Sequence, residues 1–298
     1  MHKREYLLAA VTVCIWSTLA PVNKLLINEL SVNTVLCYTS FIAAVTLFLY
    51  NLYNRKTQKT KNKTHSSNYT KNDYLKMTLL GFCGIFCYNY FYNVGISRLP
   101  SQEACIINYM WPILTVLMCC ILLKEHFTLR KFTAALLSTA GMIIVVMHSS
   151  SGGGNNRSFT GAAACFTAAL CYAIFSAWNK KEQYQQAVLL NIAYALTAVL
   201  SAVFCFFNGG FVWITAGQFA GFLWLGAVTN ALAYVLWGMA INSGNTAKVA
   251  ILAYLCPFLS VILSFLLLKE PVNIFSIAGL FFIIGGVLIQ MAEKENNT

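Results

Sequence analysis

Apolar runs of about 20 residues follow one another along almost the whole chain, separated by short polar stretches. That is the length at which an α-helix crosses the hydrocarbon layer of a bilayer. Ten spans are predicted, roughly Tyr6–Ile27, Val32–Leu52, Leu75–Ile96, Gln102–Leu123, Leu129–Met147, Phe159–Trp178, Ala187–Phe207, Phe219–Ile241, Ala247–Leu268 and Val272–Met291. The one sizeable polar interval is Asn54–Asp73, so little chain remains for a soluble domain. The first run is longer than the apolar core of a signal sequence, and no small-residue cleavage site separates it from the second. It is read as a retained helix.

Composition agrees. Hydrophobic residues make up 58% of the 298, charged residues 10%, and mean hydropathy is +0.65. A soluble domain of this length carries far more charge. The net charge of +11 could point to nucleic acid, but its placement points to topology. With both termini in the cytoplasm, most of the basic residues fall in cytoplasmic segments. Only Lys24, Arg98, Arg157 and Lys269 fall outside. The positive-inside rule gives that orientation. The basic run from Arg55 to Lys76 then lies against anionic headgroups.

A repeat organises the spans. The stretch Cys105–Val146 reappears without a gap at Ala250–Met291. Tyr109 falls on Tyr254, Pro112 on Pro257, Lys124-Glu125 on Lys269-Glu270 and Gly141 on Gly286. Gly81 and Gly226 extend the same offset of 145. The first spans of each half align at an offset of 156, which puts Trp16 on Tyr172, Asn23 on Asn179 and Lys24 on Lys180. Five spans per unit is an odd number, so equivalent helices run in opposite directions. Residues 1–148 and 159–298 are read as two inverted five-helix repeats, joined by a linker at 149–158 (SSSGGGNNRS). Chains of this kind place a transport site between the halves and have two packings, one open to each side.

Three prolines interrupt the spans, Pro21 in the first and the matched pair Pro112 and Pro257 in the fourth and ninth. Each removes a backbone hydrogen bond. In a membrane the freed carbonyls are tolerated where protein or a watery cavity serves them. They are read as hinges at a central cavity, against the plainer reading of ordinary kinks.

Polar-tipped aromatics gather at similar depth: Trp16, Tyr88, Tyr92, Tyr109, Trp111, Tyr172, Tyr234, Trp237 and Tyr254. Tyr88 and Tyr92 share a helix face by their spacing. Such rings can stack on an amphipathic ligand and also bond to it. Asn93 and Asn108 could orient its polar groups. Core packing is the alternative for the rings, and helix–helix bonding the alternative for the amides.

Other chemistry finds little support. All nine acidic residues fall at span ends or in loops, which disfavours a central carboxylate coupled to protons or sodium. No GxxxxGK[ST], HExxH or metal-ligand cluster is present, so neither a metal nor another cofactor is expected. The 11 cysteines all lie within predicted spans and form no CxxC pair, as expected of small apolar packing residues.

Taken together, Trp16-Ser17, the LLKE endings at Leu122–Glu125 and Leu267–Glu270, and the glycine-bearing last spans with Gly141 and Gly285-Gly286 resemble the EamA-type drug/metabolite transporter superfamily. The segment Asn108-Tyr109-Met110-Trp111-Pro112 resembles its aromatic amino-acid exporter branch. There, aromatics corresponding to Trp16, Tyr88, Tyr92 and Trp111 would line the cavity. The second repeat departs by placing Cys256 where the first has Trp111. The resemblance implies an exporter of small amphipathic metabolites, multi-pass in the cytoplasmic membrane. Its expected partners are a small-molecule substrate and the bilayer, with no nucleic acid, as a monomer or homodimer. Another substrate class (a carboxylate, nucleotide sugar or lipid-linked sugar) and an intramembrane lipid-modifying enzyme are the alternatives.

Overall fold

The computed structural model describes residues 3–60, 69–149, 154–208, 211–241 and 252–291. The described residues are helical, with no strands. Eight helices are long and apolar enough to cross a membrane: α1 (Arg4–Glu29), α2 (Val32–Asn54), α3 (Lys71–Arg98), α4 (Ser101–Leu122), α5 (Leu129–Met147), α6 (Ser158–Glu182), α7 (Gln186–Phe207) and α8 (Ala216–Ala240). Two shorter apolar helices follow, α9 (Leu252–Leu268) and α10 (Ile274–Ile289). The predicted start of the ninth span, residues 247–251, and part of the proposed linker, residues 150–153, lie outside the described residues.

Polar bonds mark two ends of the bundle. At the end where α1 begins, here the proximal end, Lys76 Nζ pairs with Glu182 at 3.0 Å and Lys180 Nζ with Glu125 at 3.0 Å. Asn51 Nδ2 donates to the Ala187 carbonyl at 3.0 Å. At the distal end, Gln218 Nε2 donates to Glu29 at 2.8 Å and Asn273 Nδ2 to the His148 carbonyl at 2.5 Å. Between the ends the outer surface is apolar, with Phe41, Phe48, Ile121, Leu136, Phe265 and Phe281 all exposed. Only a helix satisfies its own backbone in such surroundings.

Several local devices occur at positions 145 apart. Thr70 and Thr215 both open their helices with capping boxes, closed by Asp73 and Gln218. Each hydroxyl accepts an orphan N–H of the first turn. Six and nine residues of π-helix, Phe82–Cys87 and Trp224–Leu232, interrupt α3 and α8 at overlapping aligned positions. Such interruptions widen a helix locally and recur at functional sites. Lys124 and Lys269 end their helices in the left-handed region, at φ 59° and 55°.

The prolines act differently from kinks in mid-helix. Pro112 sits in the first turn of a fresh segment, Trp111–Leu122, after Ser101–Asn108 has ended. Pro257 likewise sits in the first turn of Cys256–Leu268, which follows a 3₁₀ turn at Leu252–Leu255. A first-turn proline has no helical N–H to lose, so the interior penalty of about 3 kcal/mol is avoided. Helix α1 is broken at Thr18, three residues before Pro21, and Trp224 Nε1 donates to the Thr18 hydroxyl at 2.7 Å.

Helices α5 and α10 approach to backbone contact. A Cβ on Gly141 would lie 2.5 Å from the Gly279 carbonyl oxygen, and one on Gly286 would lie 2.6 Å from that of Ala134. Ser138 Oγ donates across the seam to Ile283 at 3.2 Å. These glycines therefore serve a contact within the chain. The largest buried cluster gathers residues of α1, α3, α4, α5, α6, α9 and α10, and includes Ile96, Ile107, Ile113 and Ile283.

Candidate functional site

A cavity of about 330 Å³ lies among α1, α3, α4, α6, α7, α8 and α9. Its lining reaches Gln186, Gly238 and Ala253, which lie where α7 begins, α8 ends and α9 begins, at the proximal end. Small residues such as Ala20, Cys105, Ala253 and Cys256 leave the space that the large rings surround.

Nine of the eleven expected binding residues line this cavity: Trp16, Tyr88, Tyr92, Asn108, Tyr109, Trp111, Tyr172, Tyr234 and Trp237. Asn93 and Tyr254 do not. Asn93 is buried with no partner for its Oδ1 among the described residues, and Tyr254 packs at the edge of the core. Of the three expected hinges, each lies at or just after a helix break, and none forms part of the lining.

The rings form two groups. Trp16 meets Tyr234 and Trp237, each with centroids 5.3 Å apart. Tyr172 meets Tyr88 at 5.1 Å and stands edge-on to Trp111 at 5.3 Å, with an interplanar angle of 88°. Tyr88 and Tyr92 stack at 5.9 Å, as their shared helix face requires. Edge-to-face and offset pairs at these distances hold the rings in fixed orientations.

Polar groups are few. Asn108 Nδ2 donates to the Tyr88 hydroxyl at 3.3 Å, while its Oδ1 is buried without a partner among the described residues. The residue is 6% exposed, so that acceptor is a buried, unmet group on the wall. Tyr109 donates its hydroxyl to the Ala253 carbonyl at 3.1 Å. No Lys, Arg, Asp or Glu is among the described lining residues, and among the described residues no group of acids, histidines or cysteines is placed to hold a metal.

Sequence reasoning left Tyr194, Gln186, Thr229 and Asn230 outside the expected binding set; all four line the cavity. Tyr194 lies in the predicted seventh span, and the polar-ring criterion that singled out Tyr88 and Tyr234 applies to it equally. Gln186 is the first residue of its helix and carried no such signal.

The distal end is closed. Ser101 donates its backbone N–H to Glu270 Oε1 at 2.9 Å and its hydroxyl to Oε2 at 2.9 Å. The Gln102 N–H reaches the same carboxylate at 3.3 Å, and Gln102 Nε2 donates to the Pro271 carbonyl at 2.6 Å. A carboxylate at a helix N-terminus meets both free N–H groups and the positive end of the dipole. Lys24 Nζ donates to the Ile96 and Leu99 carbonyls at 2.6 and 2.8 Å, near the C-terminus of α3. Lys24 thus serves helix ends, away from the cavity wall. Glu103 is fully buried and accepts from the Ser149 hydroxyl.

Comparison with known proteins agrees with this architecture. The sequence model of the EamA-like transporter family matches residues 3–147 and again residues 159–291. The chain belongs to that family, and it is a membrane transporter protein of the drug/metabolite transporter superfamily. It is similar to the uncharacterized transporter YyaM of Bacillus subtilis, at 21% identity over 70% of each chain. It is also similar to the aromatic amino acid exporter YddG of Ancylobacter novellus, at 25% identity over 61% of this chain and 64% of that one. An uncharacterized transporter of Archaeoglobus fulgidus matches at 20% identity over 98% of this chain and all of its own length. One crystal structure superposes with a TM-score of 0.68 at 20% identity, covering 98% of this chain and 99% of the other. At that identity the likeness is one of fold.

Proposed function

We propose that this chain is a secondary transporter that exports small amphipathic metabolites, aromatic amino acids first among them, across the cytoplasmic membrane by alternating access. The observation that carries this reading is the cavity itself. Seven of the nine expected residues on its wall form the two ring groups, and an unmet amide acceptor, Asn108 Oδ1, sits beside them. Its volume suits a ligand of one or two rings. A substrate with an aromatic body and an ammonium group would bury its ring among these side chains and donate to Asn108. The similarity to YddG, whose name is that of an aromatic amino acid exporter, supports the same class.

The division into two inverted five-helix repeats, residues 1–148 and 159–298, is supported by the two separate family matches and by the devices found 145 residues apart, while the last five residues of the expected linker, 154–158, are helical. With both termini cytoplasmic, the proximal end faces the cytoplasm. The described conformation is then the inward-open one, with Glu270, Ser101 and Lys24 closing the outside. The described side chains on the wall carry no charge to couple to an ion, which supports exchange or flow down the substrate gradient as the energetic scheme.

Thermal-shift titration of the purified protein tests the substrate class. Phe, Trp and Tyr are expected to stabilise it, while succinate and UDP-glucose leave it unmoved. Stabilisation by the anionic set alone would transfer the proposal to the carboxylate or nucleotide-sugar class.

A further inference from the structure

Tyr109 and Tyr254 were both expected to contact substrate, and the structure suggests a different task for them. Tyr109 donates its hydroxyl to the Ala253 carbonyl, on the residue just before Tyr254. The usual helical donor to that carbonyl would come from residue 257, which is a proline and has no N–H. The arrangement has a mate. The residue just before Tyr109 is Asn108, and the residue four beyond Asn108 is Pro112. Each half therefore carries the same five-residue device: a carbonyl deprived of its donor, a tyrosine, two residues and the depriving proline. Each tyrosine is the natural donor for the other half's carbonyl.

Only one of the two bonds is made. Tyr109 serves Ala253 at 3.1 Å, whereas the Tyr254 hydroxyl has no hydrogen-bond partner among the described residues. An inverted repeat observed in one state must break its symmetry somewhere, and this pair breaks it next to the cavity. The distal closure is unequal in the same sense. Glu270 caps Ser101, while Glu125, at the matching position, pairs with the Lys180 ammonium at 3.0 Å.

We infer that Tyr109 and Tyr254 are alternating clasps. The Tyr109–Ala253 bond holds the state whose cavity reaches the proximal end. A Tyr254–Asn108 carbonyl bond holds the state open at the distal end, and transport exchanges one for the other. This rests on the alternating-access reading. It makes the two tyrosines positioning residues that set the balance between states, rather than ligand contacts.

The test is hydrogen exchange at the distal closure, read by mass spectrometry on peptides covering residues 96–104 and 264–273 of the full chain in nanodiscs without substrate. Tyr109→Phe removes the bond present here, and exchange is expected to quicken about five-fold, the effect of one buried hydrogen bond. Tyr254→Phe removes the bond of the opposite state, so exchange is expected to slow by a similar factor. The double variant is expected to return close to the parent. A merely structural role for both hydroxyls would move the single variants in the same direction, and that result, or no change in either, overturns the inference. Phenylalanine counterflow by the same proteins in preloaded proteoliposomes separates the two readings. Opposite shifts without parent counterflow would discard the aromatic substrate and keep the clasps. Counterflow without opposite shifts would do the reverse.

Discussion

The carboxylate of Glu270 and the backbone N–H of Ser101 stand 169 residues apart in the sequence and meet at 2.9 Å. The same carboxylate takes the Ser101 hydroxyl and the Gln102 N–H. It thus ties the start of α9's following turn to the start of α4. Glu270→Gln keeps the shape and removes the charge. Charge-assisted bonds are roughly twice as strong as neutral ones, so the amides of residues 101–104 are expected to lose protection by about ten-fold. Unchanged protection would mean that the carboxylate does not hold the distal end closed.

Asn108 is the polar group on the wall with a need. Its Nδ2 is used by Tyr88 and its Oδ1 is unmet. Asn108→Leu is expected to weaken binding of an aromatic amino acid about ten-fold, the effect of one lost bond to a charged donor. Isothermal titration in detergent, with the thermal midpoint of the variant recorded alongside, measures it. A variant that folds and binds as the parent does would remove Asn108 from the site.

Trp111→Ala is expected to cut transport about ten-fold, because it removes the ring that stands against Tyr172 on the wall. Cys119→Ala, in the same helix segment but absent from the lining, is expected to have little effect on transport. Equal rates at matched expression would sink the cavity assignment.

Gly286→Ala tests the seam of α5 and α10. The added Cβ would lie 2.3 Å from Ser138 Oγ and 2.6 Å from the Ala134 carbonyl oxygen, so the helices must part. A loss of about 1–3 kcal/mol is expected, the range for overpacking. Gly217→Ala, where the nearest atom is 4.0 Å away, is the control and should leave the thermal midpoint in place. Equal midpoints in the two variants would show that the seam yields at no cost.

Much of this fold could be read from the sequence because hydrocarbon thickness sets the length of each run. The helix at Val32–Asn54, for instance, was expected at Val32–Leu52. Repetition marked Pro112 and Pro257 as a pair, though their place in the first turn of a fresh helix depends on where the preceding segment stops. The shared face of Tyr88 and Tyr92 follows from helical spacing alone. Which rings surround one cavity does not, and Tyr254 fell off the wall while Tyr194 joined it. The distal closure was out of reach for a plainer reason. Ser101 and Lys24 belong to different helices and Glu270 to the turn after α9, and nothing local in the chain pairs them. Lys24, legible in the sequence only as an outside basic residue aligned with Lys180, caps the carbonyls at 96 and 99.

The most direct measurement is counterflow in proteoliposomes. Vesicles holding the protein are preloaded with unlabelled Trp, Phe or Tyr, and labelled Phe is supplied outside with no ion gradient. The account predicts transient accumulation of label above equilibrium in loaded vesicles and none in empty ones. No accumulation by demonstrably folded protein would contradict it, removing aromatic amino acids as the substrate and reopening the question of ion coupling.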